Sequence, residues 1–148
     1  MELQSHSEIS ASGTVNIAVF DTITGKLVDS KTIPNLIVSV GKQYIASRMV
    51  SNSTTVVSHM AIGGGTASPI SGNTALGSEI SRKALSSLTN TTNQIVAVAT
   101  FGNDSSGSIS EAGIFNASSS GTMLCRTAFT PFTKTTGETV IVTWTITK

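Results

Sequence analysis

The C-terminal segment carries the pattern that most constrains the fold of this chain. Apolar side chains occupy alternate positions of residues 138–147, including Val140, Val142, Trp144 and Ile146, and threonine fills most positions between them. A period of two is the signature of a β-strand with one buried face. The same alternation begins at Thr14 and places three further apolar side chains on one face. The sequence therefore predicts half-buried strands near both ends of the chain.

Further strands are predicted between these two. Residues 26–31 follow a turn at 21–25 and complete a hairpin with the first strand. Residues 56–62, 94–101, 111–116 and 122–129 combine β-branched or aromatic residues with Gly, Asn, Asp and Ser at their bounds. Residues 76–85 fit a helix or a strand, with strand favoured from Arg82 onward. Strands at such regular spacing predict a mainly β fold, a β-sandwich or jelly roll.

One short helix interrupts the strands. Leu36, Val40, Tyr44 and Ile45 recur at spacings of three and four, which predicts a helix over Val38–Val50. Asn35 or Ser39 is expected to cap its start, and Val40, Tyr44 and Met49 are expected to lie in the core.

The sequence predicts an N-terminal arm followed by one domain. Residues 1–12 are polar and rich in serine, which predicts a flexible arm that could order on a neighbouring molecule. Residues 13–148 are predicted to form a single β-rich domain, since this length is sufficient for one core. The candidate attachment residues in the arm are Glu2, Leu3, Ser5, His6, Glu8 and Ile9.

Charge and hydropathy exclude several kinds of partner. Charged residues make up 11% of the chain and the net charge is +1, with no cluster of Lys or Arg. Nucleic acid is therefore not an expected partner. The apolar runs are too short to span a bilayer, so no membrane partner is predicted. The single cysteine and a start without a signal-peptide pattern predict synthesis in a cytoplasm.

Groups able to do chemistry are few and scattered. Gly63-Gly64-Gly65 lacks the following Lys-Ser/Thr of a phosphate-binding loop, so we interpret it as a candidate subunit-contact loop. Adjacent strand positions point to opposite faces, which argues against a dyad of Ser58 and His59. Cys125 is expected to be a buried thiol. No enzymatic activity, metal or cofactor is predicted.

Four charges interrupt otherwise apolar or neutral elements: Glu79, Arg82, Glu111 and Arg126. Unpaired charge is costly to bury, so side chains at such positions are expected to pair. We predict an ion-pair network within or between subunits; the alternative is a set of independent, solvated charges.

Several segments together resemble a known class of protein. They are Asn35-Leu36-Ile37-Val38, Ser58-His59-Met60-Ala61-Ile62-Gly63-Gly64-Gly65-Thr66, Thr74-Ala75-Leu76 with Glu79 and Arg82, Glu111-Ala112-Gly113-Ile114-Phe115-Asn116, and Thr143-Trp144-Thr145-Ile146-Thr147. In order and spacing this set resembles small structural proteins of tailed-bacteriophage virions. The triple glycine departs from the mixed Gly-Thr-Gly that is usual there, and the similarity covers the segment before Asn35 poorly.

The resemblance implies a structural role in the virion, with two possible locations. One is the capsid surface, where a decoration (cement) protein binds the major capsid protein, commonly as a homotrimer, and reinforces the shell. The other is the tail, where a fibre, collar or baseplate component would take part in assembly or host attachment. The absence of a repetitive shaft or large tip favours the decoration role.

Overall fold

Strands dominate the structure. The computed structural model describes residues 11–51 and 53–148, and within these ranges the chain forms ten β-strands and one α-helix. In chain order they are β1 (Ser12–Asp21), β2 (Leu27–Pro34), β3 (Leu36–Ile37), α1 (Ser39–Val50), β4 (His59–Gly63), β5 (Glu79–Ala84), β6 (Ser87–Thr91), β7 (Gln94–Phe101), β8 (Gly107–Phe115), β9 (Met123–Lys134) and β10 (Glu138–Thr147).

The ten strands form two five-stranded antiparallel sheets. Sheet 1 has the order β2-β1-β10-β7-β6, and sheet 2 has the order β3-β9-β8-β4-β5. Apolar side chains from both sheets share one buried cluster. The predicted mainly β sandwich with one short helix is therefore confirmed.

The alternation in β10 supplies the centre of this core. Val140, Val142 and Trp144 are fully buried, whereas the side chains between them are partly exposed. In the register with β1, Trp144 lies opposite Val15 and Val142 lies opposite Ile17. The two patterned segments that are most distant in the sequence thus pair at the middle of sheet 1.

Helix α1 packs differently from the expectation. It begins at Ser39 after Val38, and no side chain caps it, so the predicted cap at Asn35 or Ser39 is wrong. The Ser39 amide instead donates to the backbone carbonyl of Ser71 at 2.8 Å. A Cβ on Gly41 would lie 2.0 Å from the Leu124 carbonyl oxygen, so this glycine permits close contact with β9.

The apolar side chains of α1 are not all in the core. Val40 and Tyr44 are partly buried, but Met49 is 80% exposed, so its predicted core position is wrong. The helix approaches sheet 2 through Gly41, its one fully buried residue. This contact leaves the side of α1 that carries Met49 in solvent.

Several strands differ from the sequence predictions: β3 was not predicted, β8 begins at Gly107 instead of residue 111, and β9 continues to Lys134 instead of residue 129. β4 begins at His59 instead of residue 56, and the ambiguous 76–85 segment is a strand over Glu79–Ala84. β6 was not predicted, because all five of its residues are exposed and give no period of burial. Pairing of Ser87–Thr91 with β7 holds this edge strand in place.

The boundary of the predicted arm lies slightly too far along the chain. Ser12 is the first residue of β1 and pairs with Thr147. Residues 1–10 lie outside the described residues, and with them the candidate attachment residues Glu2, Leu3, Ser5, His6, Glu8 and Ile9.

The side chain of Lys134 is enclosed where two turns meet. The residue is 1% exposed, and its Nζ donates to the carbonyl oxygens of Gly102, Ser105, Thr135 and Glu138 at 2.5–3.1 Å. The ammonium group therefore joins the β7–β8 loop to the β9–β10 turn. No sequence period marks this residue, because its partners are backbone atoms.

We expect Lys134→Met to lower the free energy of unfolding by about 1–3 kcal/mol, because buried carbonyl oxygens would lose their donor. Chemical denaturation measures the change, and Lys26→Met at an exposed position is the control. Equal stability of the two variants would contradict this role.

Candidate functional site

A β-bulge directs Glu111 away from the main core. The β8–β9 register shifts between Ile109 and Glu111, so the alternation of β8 changes phase at that point. Ile109 before the shift and Ala112 after it both lie in the core shared by the sheets. Glu111 consequently lies on the opposite face of sheet 2, beneath residues 64–78.

The Glu111 carboxylate is fully buried and its oxygens accept five hydrogen bonds. Oε1 accepts from the backbone N–H groups of Gly65 (2.8 Å) and Ser78 (2.7 Å). Oε2 accepts from the Gly77 N–H at 2.9 Å and from Arg126 Nε and Nη2 at 3.0 and 2.8 Å. These bonds satisfy a charge that would otherwise be very costly to bury.

Arg126 completes the arrangement from β9. It is 2% exposed, and its Nη1 donates to Asn73 Oδ1 at 3.1 Å. Its Nη2 also donates to the carbonyl of Ala67 at 2.9 Å. The pair therefore connects two neighbouring strands to both halves of the 64–78 loop, which we call the clamped loop.

The charge of Glu111 is favoured despite its burial. Burial by itself would raise the pKa of this carboxyl. The N–H groups of Gly77, Ser78 and Gly65, together with the Arg126 guanidinium, outweigh that effect and lower the pKa below its ordinary value of 4.5.

This direction predicts a dependence of stability on pH. A carboxyl with a lowered pKa in the folded state stabilises the protein above its unfolded-state pKa and loses that contribution as the pH falls through the folded-state value. Wild-type chain should therefore be more stable than Glu111→Gln at pH 7, and the difference should shrink below pH 4.5. Urea denaturation across this range measures it; a constant difference would contradict the linkage.

The glycine triplet packs against this carboxylate within the same chain. Gly64 donates its N–H to the Ser78 carbonyl at 2.8 Å. A Cβ on Gly65 would lie 2.5 Å from Glu111 Oε1, and one on Gly63 would lie 2.7 Å from it. Close approach to Glu111 thus accounts for Gly63 and Gly65, and the predicted contact between subunits stays a prediction.

We expect Gly65→Ala to destabilise the protein by about 2 kcal/mol, because its methyl group would displace the carboxylate from its donors. Thermal unfolding measures the loss. Gly72→Ala is the matched control, since a Cβ at Gly72 meets no atom within 4 Å. Similar unfolding of both variants would show that the clamped loop tolerates the methyl group.

The other two predicted charges form a separate pair. Arg82 Nε and Nη2 donate to the two carboxylate oxygens of Glu79 at 2.9 and 2.7 Å. The guanidinium carbon lies 3.7 Å from the ring centroid of Phe115, and Nη1 donates to the carbonyls of Ala117 and Ser120. The four charges thus form two pairs within this chain, each fixing a different loop.

The Ser58–His59 pair is closer than the sequence argument allowed. Ser58 precedes β4, so the strand alternation does not separate the two side chains, and Ser58 Oγ lies 2.7 Å from His59 Nδ1. The prediction that strand geometry keeps these two side chains apart is therefore wrong.

The Cys125 thiol is buried, and that burial raises its pKa. Among the described residues, no group of three or more His, Cys, Asp or Glu side chains could hold a metal ion.

An apolar cleft lies between the sheets at the end where β10 finishes. Its volume is about 530 Å³. The lining includes Trp144 and Ile146 from β10 and Ile95 from β7. Side chains of α1 and β6 form its rim, where Met49 and Leu88 are 80% and 40% exposed. No sequence pattern predicts this cleft, because its lining comes from seven separate segments of the chain.

Comparisons with protein-family models, curated proteins and solved structures found no match to this chain. In the described part of the chain, no helix is long and apolar enough to cross a membrane.

Proposed function

We propose that this protein is a structural component of a tailed-bacteriophage virion, and that it decorates the capsid. In this role it binds the major capsid protein, assembles as a homotrimer and reinforces the shell. The observation that carries the proposal is the convergence of the resembling segments. Residues 63–65 and 111 belong to two of these segments, and residues 77–78 lie within a third, between Leu76 and Glu79; all of them meet around one buried carboxylate.

The contacts of the buried charged side chains support a mechanical role. Glu111, Arg126 and Lys134 make their contacts inside the chain, where they fix loops onto the sandwich. Such contacts keep a loop in one conformation, which lowers the entropy cost when that loop binds a larger assembly. The low charge of the chain leaves a mostly neutral Ser/Thr surface that can be buried against a shell at a small desolvation cost.

The aromatic side chains favour the capsid over host attachment. Glycan-binding tail modules are expected to present aromatic rings on exposed loops. Among the described residues, the large exposed apolar side chains are aliphatic or Met, and none is aromatic. This distribution supports a decoration protein over a glycan-binding tail component.

Binding to purified particles tests the proposal. Labelled full-length protein would be incubated with capsids that lack it, with capsids that carry their full complement, and with isolated tails. Imaging should show regularly spaced density on the first sample, with no uptake by the saturated capsids. Density confined to tails would overturn the decoration role in favour of a tail component, and no binding to either would overturn the virion role.

A further inference from the structure

The apolar cleft has the features of an incomplete binding site. Its volume of about 530 Å³ falls within the usual range for ligand pockets. Three apolar side chains of its lining, Ile45, Met49 and Val56, are 41–80% exposed. An occupant would remove these apolar side chains from water.

The chain enters sheet 1 beside this cleft. Ser12 pairs with Thr147 and Gly13 pairs with Ile146, whose side chain lines the cleft. Leu3 lies nine positions before Ser12, a distance along the chain that can span about 30 Å when extended. Residues 1–10 are therefore tethered within reach of the cleft, which gives them a high effective concentration there.

The sequence of residues 1–10 also matches the cleft. Its apolar residues, Met1, Leu3 and Ile9, all have odd numbers, whereas the even positions are all polar. Val15 and Ile17 continue the odd series and face the core. In an extended conformation, the apolar side chains of residues 1–10 would share one face.

Charge complementarity supports the same occupant. Glu2 and Glu8 are the carboxylates of residues 1–10, which contain no Lys or Arg. Arg48 is the charged residue among the described lining of the cleft, and α1 carries no acidic side chain. Glu2 and Glu8 therefore carry the charge opposite to that of Arg48.

From these observations we infer that residues 1–10 bind in the apolar cleft of their own chain, with Leu3 and Ile9 against its apolar lining. This binding site differs from the attachment role predicted for the same residues. It does not depend on the proposed virion function, because it concerns the isolated protein.

The dye 1-anilinonaphthalene-8-sulfonate, which fluoresces on exposed apolar surface, reports whether the apolar lining of the cleft is open. Dye fluorescence would be compared between the full chain, Leu3→Ser/Ile9→Ser and the matched control Gln4→Ser/His6→Ser. The first variant should show a several-fold larger dye fluorescence, and the control should match wild type. Equal dye fluorescence in all three proteins would overturn the proposal.

A spin label distinguishes binding in the same chain from exchange between chains. A nitroxide at Gln4→Cys is selective, because the native Cys125 is fully buried. Paramagnetic broadening at Met49 and Leu88 should appear when label and isotope are on the same molecule, and should persist on dilution. Broadening only between separately labelled molecules would overturn the intrachain proposal, as would no broadening at these residues.

Discussion

Glu111→Ala is expected to lower the free energy of unfolding by about 3–5 kcal/mol, the usual cost of breaking a buried ion pair by removing one partner. The variant would leave Arg126, which is 2% exposed, with no counter-charge. It would also remove the acceptor of the Gly65, Gly77 and Ser78 amides. The clamped loop should then open as the sandwich loses stability.

Two further variants separate the effect of burial from that of charge. Glu79→Ala removes a carboxylate whose side chain is 35% exposed, so a loss of about 1 kcal/mol or less is expected. Glu111→Ala/Arg126→Met removes both buried charges, and the double variant should lose less stability than Glu111→Ala alone. Urea denaturation measures all three. If Glu79→Ala costs as much as Glu111→Ala, burial does not determine the contribution of the pair.

The positions predicted well from sequence are those where a period coincides with burial. β7 and β10 have their predicted bounds because each alternates between a buried and a more exposed face. β6 has no buried face, and only its pairing with β7 defines it. Local pattern therefore identifies strands that build the core and misses an edge strand held by its neighbour.

The candidate site was predictable only in its charged residues. Glu111 and Arg126 are predicted to pair because charged residues are scarce in this chain, and both are buried. Their pairing depends on the β8 bulge and on backbone amides from the clamped loop, which no side-chain pattern encodes. Ser58 and His59 illustrate the same limit, because β4 begins later than predicted, at His59 instead of residue 56, and this changes which side chains can meet.

Trp144→Ala is also expected to cost about 3–5 kcal/mol, since it removes a large side chain from a packed core. Trp144 is fully buried in β10, between Val15 of β1 and Ala97 of β7 in the sheet register. Both neighbours are smaller than the indole, so they cannot fill the space left by its removal. The variant should also enlarge the apolar cleft, because Trp144 forms part of its wall.

Trp144→Phe tests whether the ring or its N–H group matters. Because Trp144 Nε1 has no partner among the described residues, phenylalanine would remove an unsatisfied donor along with part of the ring. The penalty should therefore be much smaller than that of alanine. Circular dichroism during chemical denaturation measures both variants. A loss for Trp144→Phe as large as that for Trp144→Ala would instead show that the Nε1–H group contributes to stability.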